Sequence, residues 1–215
     1  MAKSKQPAPI SDDEVRALLE RYACPVPFHE VRTRFLGNIA SPVLTASPMQ
    51  AVRELWGGEL PEFSDLDAVN ELIGALVMGL WNRLTRHQDR AVPFRLVRVA
   101  VPETQEGLHA LSLIRYQEIE GFVHGLFGNE EAVDLPKRAH KALDVLADTR
   151  GLLEGLHRAT GPTVEPAPSD VAAGHRLIRE LTKASEHEMH EALIACTRAR
   201  RQSIEQLRTS KPTVH

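Results

Sequence analysis

Apolar side chains recur along this chain at three- and four-residue intervals, with almost none of the strict alternation that marks strands. The first series is Val15, Leu18, Leu19 and Tyr22. It follows Ser11-Asp12-Asp13-Glu14, which has capping-box spacing with acids at the positive end of a helix. Pro25 and Pro27 stop that helix, because the residue before a proline avoids the helical region. Phe28, Val31, Phe35 and Ile39 predict a second helix from about Pro27 to Ala40. Ser47-Pro48 reads as an N-cap with proline at the first helical position, and Gly57-Gly58 ends the short helix that presents Val52, Leu55 and Trp56.

The clearest periodicity runs from Asp65, behind a Ser64 cap, to about His87. Leu66, Val69, Leu72, Ile73, Leu76, Val77, Leu80, Trp81 and Leu84 hold helical spacing there, over roughly 35 Å. Val92 to Val101 is rich in β-branched residues, but a lone strand has no partner, so an irregular connection is expected. Helical spacing returns over Thr104–Phe127, and again from Asp134-Leu135-Pro136 to about Arg158, where Gly151 and Gly155 are candidate bends. "GPTVEPAP" (161–168) reads as a linker. Beyond it Ser169-Asp170 caps a segment able to stay helical to about Arg208, on the order of 60 Å. Its inward stripe is thin: Leu177, Ile178, Leu181, Met189, Ala192, Leu193, Cys196, Ile204 and Leu207. A helix that long must lie on the bundle, pair with a second copy as a homodimer, or fray. The expectation is therefore all-α: a flexible tail (1–10), an irregular helical bundle (11–160), a linker (161–168), and a C-terminal helical extension with a basic tail (169–215).

Composition narrows the chemistry. At 215 residues, with 42% hydrophobic and 26% charged positions, the chain suits one globular domain with an appendage. A net charge of −3 argues against whole-molecule attraction to nucleic acid or anionic membranes, though a local basic patch remains open. The lysines near the start are followed by no apolar stretch, so no signal peptide is expected. The 11-residue uncharged run Leu72–Asn82 is too short to span a bilayer. Two distant cysteines, Cys24 and Cys196, make no disulfide framework, cysteine zinc site or CxxC motif. A cytoplasmic location is expected, with no cofactor.

Phe35 to Phe127 resembles the YecA/YgfB-like family of bacterial helical proteins. The likeness rests on "FLGNIASP" (35–42), "ELWGGELPEFSDLD" (54–67), "LVMGLWNRL" (76–84) and "EGFVHGLF" (120–127). Two departures stand out. Gln117-Glu118-Ile119 occupies the place of the family's frequent tryptophan, and the cysteine-rich zinc-binding tail of some members has no counterpart. The resemblance implies a helical fold and a cytoplasmic, regulatory or partner-binding role, without a catalytic residue.

Three charged clusters are candidate sites. In "EHEMHE" (186–191), Glu186, His187, His190 and Glu191 could ring one side of a helix and chelate a divalent metal. The favoured reading is a solvated face of acid–histidine pairs, since a metal-dependent enzyme needs further ligands and a cleft. Glu54, Glu59 and Glu62 surround Leu60 and Phe63, which makes an acid-rimmed docking edge for a basic protein partner. Arg198, Arg200 and Arg201, with Arg208 and Lys211 against Glu205, make the chain end basic. Helix-dipole complementation or a protein contact explains them, and a nucleic-acid patch is the alternative, without interleaved aromatics. Glu154 and His157 have di-iron spacing, but no second copy exists. His124 reads as a core or groove histidine, and Trp56, Trp81 and Phe122 as core. No Walker loop, G-x-G-x-x-G or G-x-S-x-G occurs. The favoured function is a non-enzymatic adaptor or regulator.

Overall fold

The structure, a computed structural model, describes residues 10–130, 132–163 and 167–209, and it is all-α: no strand occurs among the described residues. Most of the expected flexible tail, the centre of the expected linker, Lys211, and the side chains of Leu207 and Arg208 lie outside these residues. Helix α1 (Asp12–Arg21) starts on the expected capping box: Ser11 accepts from the Glu14 amide, and the Glu14 carboxylate accepts from the Ser11 amide. Helix α2 (Phe28–Ala40) buries Phe28, Val31, Phe35 and Ile39 as the spacing predicts. Full burial of each such side chain stabilises by about 1.5–3 kcal/mol relative to exposure. Helix α3 (Pro48–Glu54) carries the Ser47 cap.

The third apolar series is less regular than its spacing suggests. It is divided into α4 (Leu66–Ile73), a π-helical stretch (Gly74–Trp81), the short α5 (Asn82–Leu84) and a 3₁₀ turn (Thr85–Gln88). Asp65 is the N-cap, accepting from the Ala68 amide, while the Ser64 hydroxyl only donates to the Asp65 carboxylate. The wider π turn still turns Ala75, Leu76 and Leu80 inward, in line with Leu72 of α4. Leu66 does not join them.

Helices α6 (Gln105–Phe127) and α7 (Lys137–Ala159) complete the bundle. The α2–α6 crossing is the tightest. A Cβ on Gly37 would strike the Phe122 carbonyl oxygen, and one on Gly125 would strike that of Arg34. Only glycine lets the two backbones approach so closely. Trp81 adds an indole hydrogen bond to Asn38 at 3.0 Å, and Trp56 donates to the Tyr22 carbonyl at 2.9 Å. Both tryptophans are half-buried with polar ends engaged, whereas Phe122 is buried. Between α6 and α7, His109 and His157 stack at 3.8 Å, and each ring nitrogen Nδ1 bonds the other residue's carbonyl.

Helix α8 (Pro168–Thr209) packs in cis, lying across α2, α6 and α7. Much of its stripe is covered within the chain. Ile178, Leu181, Met189, Ala192, Leu193 and Cys196 are buried as expected, but Leu177 and Ile204 face solvent. The thin apolar stripe is widened by polar residues, since His175, Ser185, His190 and Thr197 are buried with it. No helix among the described residues is long and apolar enough to cross a membrane.

Candidate partner-binding surfaces

The histidine–glutamate cluster of α8 is not a solvated face. It clasps the irregular segment 92–101 to the bundle. The Phe94 amide donates to His190 Nδ1 at 3.2 Å, the Leu96 amide to Glu186 at 3.0 Å, and the Arg95 guanidinium to the same carboxylate at 2.8 Å. Glu191 receives Arg90 and Arg138, each at 3.2 Å, and Glu188 receives Arg138 at 2.7 Å. His187 alone of the four candidate ligands points outward, with 66% of its side chain exposed. The segment needs these partners because it lies beside no strand that could satisfy its amides. Its far side is held by a buried pair from α6: Glu118 accepts from the Val97 amide at 3.2 Å, Arg115 donates to the Val97 carbonyl at 3.0 Å, and the two side chains meet at 2.5 Å. His87 Nδ1 completes the frame on the Val92 carbonyl at 2.9 Å.

Electrostatics follow from this burial. Desolvation pushes the His190 and His87 imidazoles below their ordinary range, and the His190 ring accepts at Nδ1 as a neutral imidazole does. Desolvation pushes the Glu118 carboxyl up, with Arg115 pulling it the other way. Burial pushes the Glu191 carboxyl up, but Arg138 and Arg90 together outweigh it and hold it below the ordinary carboxylate value. Among the described residues no three His, Cys, Asp or Glu side chains are grouped to hold a metal ion. Glu154 pairs with Arg158, and His157 with His109, so the di-iron spacing is spent on structure. His124 is more exposed than expected, 3.8 Å from Glu54.

The acidic region is shifted relative to its expected edge. Leu60 and Phe63 pack against the core, Phe63 with its ring 5.2 Å from that of Tyr22, so neither is free to form the apolar centre of a docking edge. Glu59 and Glu62 are exposed, and Glu54 is half-buried, accepting from Gln50 at 3.0 Å. The exposed apolar side chains lie one element further on. Leu66 is 71% and Met78 70% exposed, on the outer side of α4 and the π stretch, with open space over Gly74 between them in sequence. Asp65, Asp67 and Glu71 are exposed beside Leu66 in the chain, Glu71 bridging to Arg21 at 2.7 Å.

The basic end of α8 is divided. Arg200 is half-buried and donates to the Ser41 carbonyl at 3.0 Å, and desolvation holds its guanidinium below the usual arginine range. It borders an open groove of about 570 Å³ shared with Pro42, Leu44, Val133 and Leu135. Arg198 and Arg201 are exposed on a different side, where they meet Arg90.

Sequence spacing missed Arg90, Arg115, Glu118, Thr197 and Met78, and it placed the exposed Leu66 on the inward face. A signal for one pair existed: Arg115 and Glu118 fall among the inward positions Leu108, Ser112, Ile119 and Phe122 of α6. Charges placed at interior period imply a buried pair. No protein-family model matches this chain, and no curated protein or solved structure does.

Proposed function

We propose that this chain is a protein-binding adaptor or regulator, whose docking face is the outer side of α4 and the π stretch that follows it. The observation that carries the reading is that the two most exposed large apolar side chains among the described residues, Leu66 and Met78, both fall in this one helical stretch, which has acids at its start. Large apolar side chains held in water on a rigid element, rimmed by charge, are the ordinary anatomy of a docking patch. The acids Asp65, Asp67 and Glu71 select a partner with lysine or arginine around an apolar anchor. π-helical turns also concentrate at functional sites in helical proteins. A kinship with the YecA/YgfB-like proteins and a cytoplasmic role belong to the same proposal. In support, Gly37, Trp81 and Gly125, from three of the four resembling segments, meet at the α2 packing surface.

A photo-crosslinking residue at position 78, introduced into the chain in its native cell, tests the reading. It should trap one recurring protein, and a probe at exposed Val145 on α7 should not trap it. Asp67→Lys with Glu71→Lys should abolish the adduct. Equal, promiscuous labelling from both positions would remove the docking face.

A further inference from the structure

We infer that the cavity between the 3₁₀ turn and the C-terminal part of α8 is a binding site for the phosphate group of a small phosphorylated ligand. The cavity measures about 330 Å³, at the lower end of the range for small-molecule sites. Three guanidinium groups border it, from two separate elements: Arg90 follows the 3₁₀ turn, and Arg198 and Arg201 come from α8. Basic residues near a helix C-terminus complement its dipole. That accounts for Arg198 and Arg201 singly, but not for the convergence of Arg90 on the same cavity. Glu191 engages Arg90 through one nitrogen, and the side chain remains 71% exposed. Arg198 and Arg201 form no ion pair among the described residues, and the one acid on the rim is Glu205. Arginine is the side chain suited to phosphate, because its planar fork donates two parallel hydrogen bonds.

Thr197 supplies the second, independent observation. In α8 the hydroxyls of Thr182, Ser185 and Ser203 each donate to the carbonyl one turn back, at 2.7, 2.8 and 3.1 Å. Thr197 lines the cavity, is buried, and its hydroxyl has no hydrogen-bond partner among the described residues. Buried polar groups are satisfied in nearly all folded proteins, and an unpaired hydroxyl at a cavity wall calls for a water, ion or ligand oxygen to complete it. The remaining wall is neutral: Gln88 and Gln202 offer amides to hydroxyl groups, and Ile194 a small apolar contact. Among the described residues no aromatic ring lines the cavity, so none offers a nucleobase a stacking platform. Free phosphate and the phosphate of a sugar or polyol share the chemistry the site recognises.

Calorimetric titration of the full chain at physiological ionic strength, with inorganic phosphate and with glucose 6-phosphate, tests the site. One saturable site is expected. Tighter glucose 6-phosphate binding identifies an organic phosphate as the ligand, and equal binding identifies free phosphate. Arg201→Gln should weaken the affinity about tenfold. Thr197→Val should weaken it about threefold while its thermal midpoint stays at or above that of the parent, because an unsatisfied hydroxyl is removed. Absence of saturable binding, or binding unchanged in Arg201→Gln, would overturn the proposal. So would an oligonucleotide that binds more tightly as its length grows and is indifferent to Thr197→Val, since that marks a nucleic-acid surface.

Discussion

The crossing of α2 and α6 and the clasp between α8 and segment 92–101 hold the same bundle by opposite means. The first is a contact of volumes. Gly37, Gly121 and Gly125 remove side chains so that two backbones meet, and Phe35, Leu36, Phe122 and Leu126 fill the space beside them. The second is a contact of hydrogen bonds, in which His190, Glu186, Glu118 and Arg115 take up the amides and a carbonyl of a chain segment without secondary structure. A volume contact fails through steric overlap and is indifferent to pH. A hydrogen-bonded one fails when a single donor or acceptor changes its proton. The two regions should therefore respond to different perturbations.

The largest effect is expected at the glycines. Gly125→Val places a branched side chain against the Arg34 backbone, which cannot swing aside as a flexible side chain would. A loss of roughly 4–5 kcal/mol is expected in denaturant unfolding, at the severe end for one substitution. A loss below about 1 kcal/mol would mean that the helices separate easily, and the crossing would not be the rigid half of the comparison.

Next is the buried pair. Glu118→Ala leaves Arg115 charged and buried without its carboxylate, and frees the Val97 amide. Breaking a buried pair by removing one member costs about 3–5 kcal/mol. Unlike the glycine change, it should also raise hydrogen exchange selectively at Phe94, Leu96 and Val97. Uniform exchange across the molecule would show that the segment is not a separate clasp.

Acid should distinguish the regions without any substitution. His190 is neutral with its Nδ1 lone pair engaged by the Phe94 amide, and burial holds its pKa below the unfolded value of about 6.5. A depressed folded pKa means that the unfolded chain takes up the proton first. The stability this group contributes is present above about pH 6.5 and is lost as pH falls through the folded pKa. His29 and His87 are shifted in the same direction by burial and add to the effect. The acid limb of the stability curve should begin near pH 6.5 and be shallower in His190→Asn, where an amide oxygen replaces the Nδ1 acceptor. An unchanged limb in that variant would assign the acid response elsewhere.

The same contrast explains how much of the molecule was legible in its sequence. Periodicity located α1, α2, α6 and α7 to within a few residues, because burying one apolar stripe is a local property of spacing. The long α4 ridge was legible as helical but not as π-helical, since one extra residue per turn leaves Leu72, Leu76 and Leu80 inward in either geometry. The clasp was not legible. Glu186 and His190 have the composition of a solvated face, and only the tertiary course of Pro93–Val97 brings amides to them. The burial of Phe63 was missed for a related reason: an acid-rich loop reads as exposed throughout, yet Tyr22, just after α1, packs its ring on that of Phe63.

The smallest effect on stability should come from the face proposed to bind a partner. Leu66→Ser with Met78→Ser removes apolar atoms that are already in water in the free chain, so folding loses almost no buried area. The thermal midpoint should stay near that of the parent, within about 0.5 kcal/mol in unfolding free energy, as for surface substitutions in general. A crosslink to a partner from the exposed position 70 should nevertheless disappear, because the anchors that drive association are gone. The opposite outcome, a stability loss above about 1.5 kcal/mol, would mean that Leu66 and Met78 are packed in solution. The ridge would then belong with the α2–α6 crossing as a structural contact.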